Sequence, residues 1–481
     1  MEYGALIYAL LPELLLVVAM FAALGVDYTQ MRDRPLAARY WVAGWLAALG
    51  LLAGLVVTVM QVGNLTASYG EGQLVFTQGT LVIKALLYFM GLCVIPLAVR
   101  HTVTPQASEY FALLLLSTAG MGLVATSGNL LSAFVSLELL SLSLYGLTAL
   151  HQMRPSSAEA GLKYLTFGGV ATGFLLFGIS YLYGMTGQLE FAKMTFTGNS
   201  MPMLVVVAYL CIFVGLGFKL AVAPFHLWAP DVYQAAPTPA AAWIASGSKV
   251  AGVALLIGML SPLKDAALAA DIAWLLIALA VFSIVAGNLG ALRQSNLKRL
   301  LAYSAIANAG YILVAALVLT DTGARAALYY AVVYALSALG AFAVVALLSD
   351  RLGREAEIDD FRGSWKTMPG LSAAFLLFVL SLAGIPPLAG FVGKFYLFFA
   401  AIEAGPEFMG AKYWLVALAL AGSVVGLYYY LKILKAMLVN EEDGEMDAAP
   451  IGTAAGLAVV VLVAAVVIVG LLPEPLMKLL S

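Results

Sequence analysis

Glu138, Lys163, Lys219, Lys249 and Lys394 each lie inside a long apolar stretch of a chain that is 63% hydrophobic. An ion in hydrocarbon costs at least ~2.5–3.5 kcal/mol, so such residues face a bundle interior or a hydrated cavity and mark an ion or proton route. Amines and carboxylates also titrate one proton at a time. Their chemistry here is therefore proton carriage rather than bond making.

Each residue has a bland reading beside the functional one. Glu138, in Val135-Ser-Leu-Glu138-Leu-Leu-Ser141-Leu-Ser143, keeps hydroxyls beside its carboxylate, which suits a hydrated site more than a packing ion pair. Lys219 stands five residues before Pro224, where freed carbonyls and water gather, and pairing with Glu138 would let one charge set the proton occupancy of the other. Lys249, in Ala245-Ser-Gly-Ser-Lys249-Val, reads as a hydrated carrier. Lys394 reads as a terminal carrier, against a fixed charge capping a broken helix. Lys163 competes with simple snorkelling to the headgroups, and Lys84, at the opposite membrane edge, reads as an anchor. Glu13, beside Pro12, is expected to bind a neighbouring helix or subunit. His226, in Pro224-Phe-His226-Leu-Trp, can pass protons or cap the helix break. Asp231 and Tyr233 are expected to be structural.

The elements that must hold these residues are membrane helices. Only 10% of the residues are charged, and apolar runs of about 20 residues recur throughout, which is α-helical rather than barrel length. About fourteen spans are expected, near 5–25, 39–61, 80–100, 111–126, 129–150, 160–186, 203–226, 238–260, 272–292, 300–319, 326–349, 370–402, 412–439 and 452–473. The first follows no basic segment and reads as a retained helix. The net charge of −2 says little, but its placement says more. Loops after odd-numbered spans, with the adjoining span ends, hold 14 of the 24 lysines and arginines, among them Arg154, Lys298 and Arg354, against five on the other side, including Lys412. The basic side is expected to face the cytoplasm, with both termini outside. Cys93 and Cys211 lie apart in apolar helices and support no disulfide, cluster or haem site. No phosphate-cradling motif occurs; Gly215-Leu-Gly217 lacks its third glycine.

Proline interrupts two spans, at Pro224 in the seventh and at Pro386-Pro387 in the twelfth. Such breaks survive only where protein or water satisfies the backbone. Five spans separate them, so the broken helices run in opposite directions, as in inverted repeats with ion sites at the breaks. The expected architecture is an all-α polytopic membrane protein with two inverted five-helix repeats, each with a discontinuous helix. Residues 1–110 form N-terminal helices, 111–260 the first repeat, 272–439 the second, and 452–481 a C-terminal helix.

Several strings together resemble a known family. They are Gly215-Leu-Gly-Phe-Lys219-Leu-Ala-Val-Ala-Pro224-Phe-His226-Leu-Trp-Ala-Pro-Asp231, Asn296-Leu-Lys-Arg-Leu-Leu-Ala-Tyr-Ser304, Ser381-Leu-Ala-Gly-Ile-Pro-Pro-Leu-Ala-Gly-Phe-Val-Gly-Lys394, and Gly426-Leu-Tyr-Tyr-Tyr-Leu-Lys432. The chain resembles the antiporter-like membrane subunits of proton-pumping NADH:quinone oxidoreductase, respiratory complex I, a family shared with Mrp-type antiporters. The lysine in the twelfth span, the end of the chain after the fourteenth and the Gly-Leu-Tyr-Tyr-Tyr-Leu run resemble its N-type subunits. The resemblance implies that Glu138 and Lys219 are a coupled pair, Lys249 the central lysine, Lys394 the carrier near the exit and Lys163 an additional lysine. Asn308 departs from it, standing where the family often has histidine, and leaves the link between the halves to water or to Ser304 and Tyr311.

The resemblance further implies a translocase subunit of a bacterial inner membrane, with no redox chemistry, cofactor or metal in this chain. NADH, FMN, iron–sulfur clusters and quinone are expected in partner subunits. The partners are other membrane and peripheral subunits and lipid, with no nucleic acid. Two other readings keep the same residues: a cofactor-free cation/proton antiporter subunit and a structural spacer.

Overall fold

A computed structural model describes residues 2–151, 154–196, 202–264, 269–404, 413–438 and 452–480. Lys412 and Ser481 lie outside the described residues. Apolar runs without internal solvation must close their own backbone hydrogen bonds, and the chain is accordingly a bundle of helices. In order they are α1 (Glu2–Ala9), α2 (Leu11–Thr29), α3 (Leu36–Gln61), α4 (Gln78–Arg100), α5 (Ala107–Thr126), α6 (Leu130–Ala149), α7 (Pro155–Thr186), α8 (Pro202–Leu220), α9 (Trp228–Ala235), α10 (Thr238–Ala245) and α11 (Gly247–Leu260). There follow α12 (Ala269–Leu292), α13 (Leu297–Ala316), α14 (Asp321–Leu352), the short α15 (Ser364–Thr367), α16 (Pro369–Ala383), α17 (Ala389–Glu403), α18 (Tyr413–Leu438), α19 (Thr453–Leu471) and α20 (Pro473–Leu479).

Thirteen helical spans are long and apolar enough to cross a membrane, and the broken pair α16 and α17 supplies the fourteenth of the sequence reading. Among the described residues the strands are confined to a small antiparallel hairpin between α3 and α4, β1 (Ala67–Tyr69) with β2 (Leu74–Phe76). The hairpin marks one end of the bundle, where Leu74 bridges Ser127 and Asn129 bridges Glu190. At the opposite, basic end, Asn296 bridges Glu357. Asparagine opens a helix at both places: the Asn129 side chain caps α6 by accepting from Ser132 N, and the Asn296 side chain caps α13 by accepting from Arg299 N.

The core centres on α14, whose apolar window is wholly buried, with α13 and the α10–α11 span each 89% buried beside it. By contrast α7 is 28% buried and turns Val170, Phe174 and Phe177 outward, as a lipid-facing helix should. Lys219, Lys249 and Lys394 are carried on α8, α11 and α17, which pack around this core, whereas Lys163 is on the outward-facing α7.

Both proline breaks are present. The first parts α8 from α9 over residues 221–227 and the second parts α16 from α17 over 384–388. Buried serines satisfy amides freed there: Ala223 N donates to Ser283 Oγ at 2.9 Å and Gly390 N to Ser381 Oγ at 3.2 Å. Trp228 Nε1 donates to the Phe218 carbonyl at 3.1 Å. A third interruption carries no proline. Ser246, at φ −110° and ψ −81°, separates α10 from α11 immediately before Lys249.

Candidate functional site: a buried line of lysines

Lys219 occupies the last turn of α8 and is 3% exposed. Its Nζ donates to Ser141 Oγ at 3.1 Å. Glu138, one turn earlier on the same face of α6, accepts from Thr172 Oγ1 at 2.8 Å. No ion pair within 4.0 Å joins Glu138 and Lys219 among the described residues; Ser141 takes the Lys219 amine and Thr172 the Glu138 carboxylate. A serine reaches Lys219 because residues three apart on α6 share a face while the carboxylate turns toward α7.

Lys249 is 1% exposed on the first turn of α11. Its Nζ donates to the Ala305 carbonyl of α13 at 2.6 Å and lies 5.4 Å from the centre of the Tyr334 ring. Those partners are dipoles and a π face rather than a carboxylate, so they accommodate the charge without fixing it. Lys394, on α17, donates to the Leu382 and Ala383 carbonyls at 3.2 and 3.0 Å and to Ser423 Oγ at 3.0 Å. It therefore caps the carbonyl end of α16, where the helix dipole is negative, and it also lines a cavity of about 460 Å³ between α17 and α18. Carrier geometry and capping geometry coincide at this one residue.

A hydroxyl and amide network joins α13, α14 and α18 beside the Ala305 carbonyl that Lys249 binds. Asn308 Nδ2 donates to the Ser304 carbonyl at 2.8 Å, Tyr330 donates to Asn308 Oδ1 at 2.5 Å, and Ser304 Oγ bonds the Tyr430 hydroxyl. Tyr311, which the sequence reading placed in this link, instead accepts from Asn288 Nδ2 at 3.1 Å, with its ring under Lys394. Tyr330 stands in no sequence motif, and the Gly426–Lys432 run that contains Tyr430 does not tell which of its tyrosines faces Ser304 until the helices are docked.

Lys163 is not brought into this line. It is partly exposed near the basic face, bound to Glu159 at 2.7 Å and Asp231 at 3.1 Å, with Arg299 on the other Asp231 oxygen at 2.7 Å. His226 stands in the first break, half-buried, its Nδ1 without a partner. Two residues differ from their sequence readings. Lys84 is not a snorkelling anchor but is wholly buried against Glu13 at 2.6 Å; α2 supplies the carboxylate that makes burial tolerable. Lys298, counted with a basic loop, is 3% exposed and donates to the Ala236 carbonyl at 3.1 Å. It lines a cavity of about 450 Å³ at the basic face together with Arg100, His101, His151, Asp350 and Glu355. No cluster able to hold a metal occurs among the described residues.

The description NADH:quinone oxidoreductase/Mrp antiporter, TM, matches residues 127–423, more than half of the chain. The chain belongs to this family. It is 41% identical to "NADH-quinone oxidoreductase subunit N 2" of Acidobacterium capsulatum, with 99% of each chain covered. Respiratory complex I from Thermus thermophilus contains a chain 33% identical, with a TM-score of 0.81 over 97% of this chain and 98% of that one. A chain of the Mrp complex from Dietzia sp. superposes at a TM-score of 0.84 over 98% and 96%, but at 21% identity it shares the fold alone.

Proposed function

We propose that this chain is a proton-translocating membrane subunit of an NADH:quinone oxidoreductase, and that it carries protons along Lys219, Lys249 and Lys394 while redox chemistry proceeds in partner subunits. The observation that carries this reading is Lys249: a lysine 1% exposed whose hydrogen-bond partner is a backbone carbonyl and not a carboxylate. A buried amine without a counter-ion can exist neutral or charged according to its neighbours.

The mechanism follows from the spacing of partners. Water at the basic face reaches Lys298 and the start of α10 through the cavity there. Glu138 acts on Lys219 through its charge, so a change in partner subunits beside Glu138 alters the charge that Lys219 can hold. At an effective dielectric near ~20, moving unit charges by a few ångströms changes their interaction by roughly 1–2 kcal/mol, about one pKa unit. The next lysine then gains or loses its proton, and the Ser304–Asn308–Tyr330 network joins the Lys249 helix pair to the half that holds Lys394. Lys163 tunes the basic face, and His226 is available to relay at the first break.

Two inverted repeats, 111–260 and 272–439, with flanking segments 1–110 and 452–481, account for the recurrence of parts. The asparagine-capped helices α6 and α13 are each followed by a 32-residue helix ending in a left-handed glycine, Gly187 or Gly353. Each asparagine bridges the loop beyond, at opposite ends of the bundle. The chain sits in a bacterial inner membrane with its basic face in the cytoplasm and both termini outside. NADH, FMN, iron–sulfur clusters and quinone belong to the partner subunits.

Lys249→Ala should assemble but lower proton pumping and coupled quinone reduction in reconstituted vesicles. Lys249→Arg should be impaired too, since guanidinium stays protonated at any accessible pH. An arginine variant pumping at the wild-type rate would make Lys249 a fixed charge and overturn the carrier mechanism.

A further inference from the structure

Glu13 and Lys84 belong to none of the steps above. Their contact is buried: Lys84 Nζ lies 2.6 Å from Glu13 Oε1 and 2.8 Å from Oε2, with the lysine fully buried and the glutamate 6% exposed. Placing two ions in hydrocarbon costs more than joining α2 to α4 with apolar side chains would, so the pair is a weak device for stability and a candidate for function.

Two features of its surroundings point the same way. First, Lys84 is one helical turn from a hydroxyl on a cavity wall, and the α5 surface against Glu13 leads to a second one. Thr80, four residues before Lys84 on α4, lines a cavity of about 310 Å³ at the hairpin face together with Thr77, Ile83, Ser127, Glu190 and Ser261. The Glu13 carboxylate rests against Gly122 of α5, where a Cβ would meet Oε1 at 3.1 Å and the Tyr88 hydroxyl at 3.3 Å. Thr126, one turn on along that face, is buried and followed by Ser127 on the cavity wall. Second, the pair is one helix away from the Lys249 break. A Cβ on Gly247 would meet Met121 Sδ at 2.8 Å, so adjacent residues of α5 touch the break on one side and the ion pair on the other. The other titratable groups here are Tyr88 beside Glu13 and, across the cavity, Glu190 bound to Lys193 at 2.6 Å.

We propose that Glu13 and Lys84 form a second proton-exchange site, in contact with water of the hairpin face through this cavity, whose charge compensates that of Lys249 across α5. When Lys249 gains a proton, the repulsion favours loss of one proton from the pair. Lys84 Nζ passes it to Glu13, and the resulting carboxylic acid releases it to cavity water, leaving a neutral amine and a carboxylate. When Lys249 empties, water returns the proton and the ion pair reforms. The pair thus carries no net current and lowers the cost of charging the central lysine. This inference rests on the carrier reading of Lys249.

The test uses the whole complex in proteoliposomes, with lumenal pH set independently on the hairpin side. Glu13→Gln/Lys84→Met removes both charges while keeping similar volumes. The double variant should assemble normally, pump several-fold more slowly than wild type, and lose the wild-type dependence of rate on hairpin-side pH. A double variant with the wild-type rate and the wild-type response to that pH would overturn the proposal. So would single variants that fail to assemble beside such a double variant, which would make the pair a structural pin. Lys249→Ala in the same assay separates the two ideas. Wild-type pumping there sinks the carrier reading itself, whereas impaired pumping beside a silent double variant sinks only the pair.

Discussion

The three buried lysines differ less in depth than in what they touch. Lys219 has a serine hydroxyl with a carboxylate beyond it, Lys249 one carbonyl, and Lys394 two carbonyls and a serine. The direct hydrogen-bond partners are neutral in every set, so each site can hold an amine in either protonation state, and the number of dipoles grades how well it holds the charged one. Between Lys249 and Lys394 the polar groups are neutral as well, with Asn308 accepting from Tyr330 and donating to Ser304. An amide cannot take up a proton as an imidazole does, but it keeps neighbouring hydroxyls aligned. Tyr330→Phe removes one donor with almost no change in volume and leaves Asn308 Oδ1 buried without it, a loss of about 1–3 kcal/mol in stability. The subunit should still assemble, and protons moved per NADH oxidised should fall. Unchanged pumping in vesicles containing the variant would show that the network is packing rather than path.

At the scale of elements, the lysines are placed by interruptions, and these were unequally legible. Pro224 and Pro386-Pro387 announce themselves, because proline removes an amide donor from the helix ladder. The Ser246 break leaves no such mark: Ala245-Ser-Gly-Ser reads as a weak helix, and the close approach of Gly247 to Trp243 and Met121, which a Cβ would obstruct, is visible only in the folded chain. Buried lysines were equally clear, yet their partners were not, since Ala305 and Leu382 act through carbonyls that every residue possesses. Lys84 shows the converse failure. Its sequence position near a span end suits an anchor, and nothing local tells that α2 delivers Glu13 to it. The second break also depends on a close approach: a Cβ on Gly390 would overlap the Ser381 carbonyl oxygen, whereas one on Gly370 meets nothing within 4 Å. Gly390→Ala should therefore displace α17, and with it Lys394, from α16. Membranes expressing it should contain much less assembled subunit by immunoblot, while Gly370→Ala should be indistinguishable from wild type. Normal assembly and pumping in Gly390→Ala would mean that the join between α16 and α17 is not set by this contact.

The whole molecule has two unlike ends, and the difference bears on how it sits in the membrane. One end gathers Arg100, His101, Arg154, Lys298 and Arg354 around a cavity lined also by Asp350 and Glu355. The other carries the hairpin and the smaller cavity bordered by Glu190. Positive charge is retained on the cytoplasmic side during insertion, so the proposed topology puts the basic end in the cytoplasm, and under the proposed pumping function protons enter there and leave at the hairpin end. Gly353 and Asn64 are exposed at the basic and hairpin ends respectively. In the chain with Cys93 and Cys211 replaced, Gly353→Cys and Asn64→Cys should divide cleanly when intact cells meet a membrane-impermeant thiol reagent. Asn64→Cys should be labelled at once, and Gly353→Cys only after the cells are opened. The opposite division would reverse the direction assigned to the lysine line, and labelling of both in intact cells would contradict an odd number of crossings between these two positions.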